Sequence, residues 1–147
     1  MSDTTTAPAA ADAATQAALE RLNTVIDRLI APDGCPWDST QTPESLTEYV
    51  IEECHELVDA IRSGKTADMV EELGDVAFLI LMIGKLMARA GGPSLAGALE
   101  VEAAKMVRRH PHVFSDTTYE NQSEQLKDWD RIKREEKAAA DAEGPKG

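Results

Sequence analysis

Aromatic residues are scarce in this chain, two each of Trp, Tyr and Phe in 147 residues. Cysteine is scarcer still: Cys35 and Cys54 are the only two. Neither has a spacing typical of zinc, and without a secretory context the two fit a reducing cytoplasm better than a disulfide framework. Basic residues are outnumbered, 15 Lys and Arg against 27 Asp and Glu, for a formal charge of −12. That balance argues against binding a nucleic-acid polymer by bulk electrostatics, and a small anionic ligand would need a metal to bridge it. Long apolar runs are missing too. The longest, Val76 to Ile83, covers eight residues, whereas a membrane span needs about 20. Met1 to Ala14 has neither a basic start nor an apolar centre, so it reads as a disordered leader rather than a secretory signal or transit peptide. No stretch alternates apolar and polar residues long enough to suggest a strand.

What remains is helical periodicity punctuated by Gly and Pro, so the expectation is an all-α antiparallel bundle, one domain over Thr15 to Lys137 followed by a frayed end, Ala138 to Gly147. A first helix is expected from Thr15, as N-cap, to Ile30, with Leu19, Leu22, Val25, Ile26 and Leu29 as its apolar stripe. Pro32-Asp33-Gly34 ends it. After a loop carrying Trp37, Thr42-Pro43 supplies an N-cap and a proline at the first helical position. The second helix shows Leu46, Val50, Cys54, Leu57, Val58 and Ile61 as its core face and stops at Ser63-Gly64. Thr66 or Asp68 can cap a third, with the face Val70, Leu73, Val76, Ala77 and Ile80. It becomes apolar nearly all round from Val76 to Met82, more than one small protomer can easily cover. Met82 and Met87 read as core and Cys54 as a small buried hydrophobe. Gly91-Gly92-Pro93 separates a fourth helix, Ser94 to Arg109, from which a fifth, Ser123 to Ala140, follows.

Charge is concentrated where it needs an explanation. Glu52-Glu53-x-x-Glu56 and Glu72-x-x-Asp75 sit on the second and third helices, beside their apolar faces. Like charges three or four apart on a helix repel by roughly 0.2–0.5 kcal/mol per pair. A lone acidic run is usually a solvated face, but two such runs on helices joined by a short turn should pack antiparallel and face each other. Convergence of that density calls for a cation, and an all-oxygen ligand set favours Mg²⁺ or Mn²⁺. On the helical wheel Glu53 and Glu56 lie nearest the core and are the better ligands, while Glu52 points further out. Gly74, between Glu72 and Asp75, leaves room for the second helix to approach.

Lys105, Arg108 and Arg109 could hold phosphate oxygens, or could simply complement the negative end of the fourth helix. Trp37 and Trp129 stand as nucleotide contacts through base stacking, with packing onto the bundle the competing reading, narrowly favoured for Trp37. His110 and His112, flanking Pro111, carry little weight as metal ligands.

Five motifs in order resemble the MazG family of all-α nucleoside triphosphate pyrophosphohydrolases, over about Leu19 to Lys137. They are Gly34-Cys35-Pro36-Trp37-Asp38, Glu52-Glu53-Cys54-His55-Glu56, Glu72-Leu73-Gly74-Asp75, Arg108-Arg109-His110-Pro111-His112-Val113-Phe114, and the run from Trp129 to Lys137. The resemblance implies Mg²⁺-dependent cleavage between the α- and β-phosphates of a nucleoside triphosphate, giving the monophosphate and pyrophosphate. It implies Glu53, Glu56, Glu72 and Asp75 as metal ligands and Glu52 as a second-metal ligand or the base orienting the attacking water. Lys105, Arg108, Arg109, Lys133 and Lys137 become phosphate contacts. Members of the superfamily form dimers or tetramers, so a homodimer completing a four-helix core is expected. Some members carry two such domains in tandem and this chain shows one, so no role tied to a second domain is carried over. Two alternatives stand beside this reading: a pyrophosphohydrolase for another nucleotide-like metabolite such as phosphoribosyl-ATP, and a non-catalytic helical adaptor whose acids bind a divalent ion.

Overall fold

The second and third helices pack against each other and form the centre of the chain's first compact unit. In the computed structural model, which describes residues 6–143, α1 spans Thr6–Leu29, α2 Thr47–Ser63, α3 Thr66–Arg89, α4 Leu95–Arg109, α5 Pro111–Phe114 and α6 Gln122–Ala142. Two short 3₁₀ turns, Asp38–Thr40 and Glu44–Leu46, lie between α1 and α2. No strand occurs among the described residues. The chain divides into two compact units, one running through Leu95 and one from Ala96 onward, so the single domain expected over Thr15 to Lys137 spans both.

In the first unit α2 and α3 are joined by a tight turn at Gly64, whose φ of 71° is the left-handed C-cap that glycine adopts without penalty. The core is aliphatic: Ile26, Ile30, Leu46, Leu79, Leu81, Met82 and Leu86 are buried together, with Leu22, Val50, Phe78, Ile83 and Leu95 packed against them. α1 is tied to α3 by two polar contacts. Lys85 Nζ meets Asp27 Oδ1 at 2.7 Å, and Arg89 Nη1 donates to the Ile30 carbonyl at 2.6 Å. The second contact satisfies a carbonyl left open at the helix end.

Several local expectations need correction. α1 begins at Thr6, well before Thr15, whose hydroxyl donates to the Ala11 carbonyl at 3.0 Å as a mid-helix residue rather than an N-cap. From Ala9 to Arg21 the helix is exposed; its Ala-rich composition favours helix without tertiary cover. Met1 to Thr5, the rest of the expected leader, lie outside the described residues, as do residues 144–147 of the expected tail. Thr42 caps as expected, its Oγ1 accepting from Ser45 N at 3.1 Å while Ser45 Oγ accepts from Thr42 N at 2.9 Å. The turn it opens is 3₁₀, however, and α2 proper starts at Thr47. α3 starts without a side-chain cap: Lys65 is the N-cap residue and Asp68 serves only as first-turn negative charge.

The core face of α2 is rotated from the one the wheel suggested. Leu46 and Ala60 are buried and Val50, Glu53 and Leu57 half-buried, whereas Cys54, Val58 and Ile61 are exposed. α3 likewise buries Leu79, Leu81, Met82 and Leu86 but exposes Val70, Leu73 and Ile80. Each helix carries two apolar stripes, and the single unit covers one of them. Gly74 has open space around it, with no atom within 4 Å of where a Cβ would stand, so α2 does not approach there. Gly84 is where close approach occurs: a Cβ on it would come 2.9 Å from Leu95 Cβ.

In the second unit α6 is capped by Asn121, whose Oδ1 accepts from Glu124 N at 3.0 Å, and Glu124 in turn accepts from Glu120 N. Ile132 is buried. The four-residue α5, with Pro111 at its start, was not anticipated.

Candidate active site

Rotation of α2 turns Glu53 inward, against α3. Glu53, Glu56 and Glu72 each bring one carboxylate oxygen within 4.8 Å of the others, and Glu71, Glu72 and Asp75 form a second such group. Glu72 belongs to both. Four of the five acids singled out in sequence are thus gathered across the two helices; Glu52 is exposed and joins neither group. Glu71 was passed over, although its i,i+4 relation to Asp75 places the two on one helical face.

The electrostatics of this cluster are unsatisfied. Oε2 of Glu53 and Oε2 of Glu72 are both buried without a hydrogen-bond partner, an arrangement that normally costs a folded protein stability. Burial, reinforced by the carboxyls of Glu56, Asp75 and Glu72, pushes Glu53 up to about 7. Burial and the charge of Glu56 raise Glu72 as well. Oxygen donors only, on two packed helices, with orphaned buried lone pairs, fit a hard divalent cation.

Two cavities open onto the cluster. One, of about 220 Å³, is lined by Trp37, Tyr49, Glu53, Asp75, Phe78 and Leu79. The other, of about 280 Å³, is lined by Glu56, Asp59, Ala60, Ser63, Asp68 and Glu72. Tyr49 precedes Glu53 by four residues and Phe78 follows Asp75 by three, so helical spacing alone held the signal that they flank the acids. Trp37 is 48% exposed and meets Tyr49 edge to face at 5.7 Å. Its loop is fixed from behind. Cys35 N donates to the Leu29 carbonyl at 2.9 Å, and the Thr40 hydroxyl and Gln41 amide donate to the Trp37 carbonyl.

The cationic candidates lie in the second unit, where several are already engaged. Arg108 Nε meets Glu136 Oε1 at 2.7 Å and Arg109 Nη2 meets Glu136 Oε2 at 2.8 Å. Hydrogen bonds from Arg109 and then Arg108 hold the Glu136 carboxyl down at about 2, and the same bond raises Arg109. Lys105 pairs with Glu102 at 2.7 Å. Lys133 and Lys137 are exposed. Trp129 is half-buried with His110 edge-on at 4.9 Å, and His110 is itself fixed by a contact of Nδ1 with the Met106 carbonyl at 2.6 Å. Trp129 therefore packs its own unit together. A third cavity, about 1000 Å³, also lies in this unit and holds none of the clustered carboxylates of α2 and α3.

An all-helical protein with a carboxylate cluster set between two packed helices is the class these features define. Within that class, the MazG nucleotide pyrophosphohydrolase domain matches residues 41–114. The chain belongs to this family. It is 39% identical over 121 residues to the nucleoside triphosphate pyrophosphohydrolase of Escherichia coli K12, covering 82% of this chain and 46% of that protein. It is 38% identical over 118 residues to the nucleoside triphosphate pyrophosphohydrolase/pyrophosphatase MazG of Thermotoga maritima, covering 80% of this chain and 45% of the relative. The chain thus spans less than half the length of these relatives. The crystal structure of a mazG-related protein from Thermotoga maritima aligns with a TM-score of 0.66 at 29% identity, over 78% of this chain and 98% of that one.

Proposed function

We propose that the protein is a Mg²⁺-dependent nucleoside triphosphate pyrophosphohydrolase that cleaves between the α- and β-phosphates, releasing a monophosphate and pyrophosphate. The observation that carries this reading is the pair of buried, unpartnered carboxylate oxygens on Glu53 and Glu72 within the convergent acids, in a family whose named relatives are nucleoside triphosphate pyrophosphohydrolases. Glu53, Glu56, Glu72 and Asp75, with Glu71, would hold the ion; Mn²⁺ suits the same donors. When bound, a divalent ion of this kind neutralises charge on phosphate oxygens and favours deprotonation of an attacking water. Glu52, exposed on α2 next to Glu53 in sequence, is assigned to orienting that water or to a second ion. Trp37, beside Tyr49 and the cavity that contains Glu53 and Asp75, offers an aromatic face to a base. Lys105, Lys133 and Lys137 reach for phosphate oxygens as flexible point charges.

The same proposal includes a homodimer. The uncovered stripes, Ile51, Val58 and Ile61 on α2 and Val70, Leu73 and Ile80 on α3, are what a second α2–α3 pair would bury in a four-helix core. Both cysteines are free, in keeping with a cytoplasmic site of action, and no described helix is long and apolar enough to cross a membrane.

The test is Mg²⁺-dependent product analysis over a panel of standard and modified NTPs and dNTPs, with phosphoribosyl-ATP included. Pyrophosphate with the matching monophosphate is the expected result. Orthophosphate would place the cleavage at another bond, turnover of phosphoribosyl-ATP alone would favour the metabolite reading, and ion binding without turnover of anything would favour the adaptor.

A further inference from the structure

Four rings stand in file within the second unit. Trp129 on α6 meets His110 edge to face at 4.9 Å, His110 lies 5.7 Å from His112 on α5, and His112 lies 5.2 Å from Tyr119. The Tyr119 hydroxyl donates to Asp128, back on α6, and Asp128 holds Arg131 through its other oxygen. The file thus begins and ends on α6 and encloses α5 with the loop that follows it. Pro111 and Tyr119 also form part of the wall of the 1000 Å³ cavity. The two imidazoles are held differently. His110 Nδ1 meets the Met106 carbonyl at 2.6 Å; a carbonyl only accepts, so this nitrogen carries a hydrogen, and its place at the negative end of α4 favours positive charge. His112 Nδ1 is buried with no hydrogen-bond partner. Among the described residues no carboxylate pairs with either imidazole. Asp128 is occupied by Tyr119 and Arg131, and Arg109, next to His110 in sequence, is occupied by Glu136.

We propose that this file of rings is a proton-operated clasp: it holds α5 and the following loop on α6 while His112 is neutral, and proton uptake by His112 releases them and opens the cavity wall. A neutral imidazole can leave one lone pair unpaired at modest cost. A protonated one carries hydrogen on both nitrogens, which puts a cationic donor with no acceptor into the place Nδ1 occupies, beside a second imidazole. Leaving an ionised donor unsatisfied costs more than leaving a neutral group so, and opening hands that donor to water. Imidazole is the ordinary side chain that changes charge between about pH 5 and 8. The far end of the file does not change over that range, because the hydrogen bond between Tyr119 and Asp128 raises the phenol and lowers the carboxyl. The clasp therefore has one proton-sensitive weak point, His112, and mild acid opens it.

The clasp does not depend on the activity assigned above, and its test reads the second unit directly. In the full chain carrying Trp37→Phe, Trp129 is the only indole left. Its quenching by acrylamide is followed from about pH 7.5 to about pH 5, with Mg²⁺ present throughout. Hydrogen exchange of the Val113, Phe114 and Ser115 amides, which bond to the carbonyls of His110 and Pro111, is followed over the same range and corrected for the intrinsic pH dependence of exchange. The expected result is a quenching constant that rises by about twofold, and amide protection that falls by about tenfold, as the pH is lowered. His112→Phe and His112→Gln, neither of which can take a proton, should show no pH response in either readout, whether or not the new side chain loosens the file, and His110→Phe should keep the response. Three results would overturn the proposal: no pH response in the protein with His112 intact, the same response in both His112 variants, or a response that is lost in His110→Phe and kept in His112→Phe.

Discussion

Gly34 offers a sharp test of whether the Trp37 loop is a rigid part of the site. A Cβ added there would stand 2.3 Å from the Arg28 carbonyl oxygen and 2.4 Å from that of Leu29. Both are backbone atoms at the end of α1, so neither can swing aside. Relief to an ordinary contact of about 3.5 Å requires the loop to move by roughly 1 Å, which also pulls Cys35 N from the Leu29 carbonyl it meets at 2.9 Å. Overpacking of this kind costs about 1–3 kcal/mol, or a Tm lowered by about 2–12 °C in a domain of this size. The same displacement carries Trp37 away from Tyr49 and the cavity beside Glu53 and Asp75. Misplacement by 1 Å can cost up to about 100-fold in rate. Gly34→Ala is therefore expected to lower Tm and to reduce kcat/KM for nucleotide by tenfold or more, read by thermal unfolding and steady-state kinetics with saturating Mg²⁺. A variant with wild-type Tm and kcat/KM would refute the idea that the loop is a fixed wall of the site.

Two further outcomes follow from the same structure. Because Glu53 is raised to about 7 from an ordinary value of 4.5, the folded metal-free protein holds a proton that the unfolded chain releases between those values. That contribution to stability is full below pH 4.5 and disappears as pH rises through about 7. In scanning calorimetry the metal-free Tm should fall between pH 5 and 8, Mg²⁺ should restore it at pH 8, and Glu53→Gln should flatten the profile; a metal-free Tm that climbs over this range contradicts the cluster. Ile61→Glu on the uncovered stripe of α2 should convert a dimer at micromolar concentration into monomers by light scattering, and a wild type that is already monomeric removes the dimer.

The acid cluster could be seen in the sequence because i,i+3 spacing keeps Glu53 with Glu56 and Glu72 with Asp75 whatever the rotation of the helix. The rotation itself could not. Val50, Leu57 and Ala60 form one apolar stripe on α2 and Cys54, Val58 and Ile61 another, so a wheel centred on all of them points between the two. Which stripe α3 covers is a tertiary choice, and a stripe left uncovered carries no mark in a single sequence. Glu71 drew no notice, although its i,i+4 relation to Asp75 was there to be seen. The ion pairs of Glu136 with Arg108 and Arg109 join residues 28 and 27 positions apart, beyond any local pattern. The early start of α1 was masked by composition: an Ala-rich segment without an apolar stripe resembles a leader, yet Ala is the strongest helix former.

The measurement that bears most directly on the central claim is the ratio of pyrophosphate to orthophosphate released from nucleoside triphosphates with Mg²⁺, for wild type and for a folded Glu56→Ala variant. Pyrophosphate with monophosphate from the wild type, and neither from the variant, is the predicted result. Undiminished turnover in Glu56→Ala would contradict the account, because the carboxylates gathered between α2 and α3 would then not be the reacting centre.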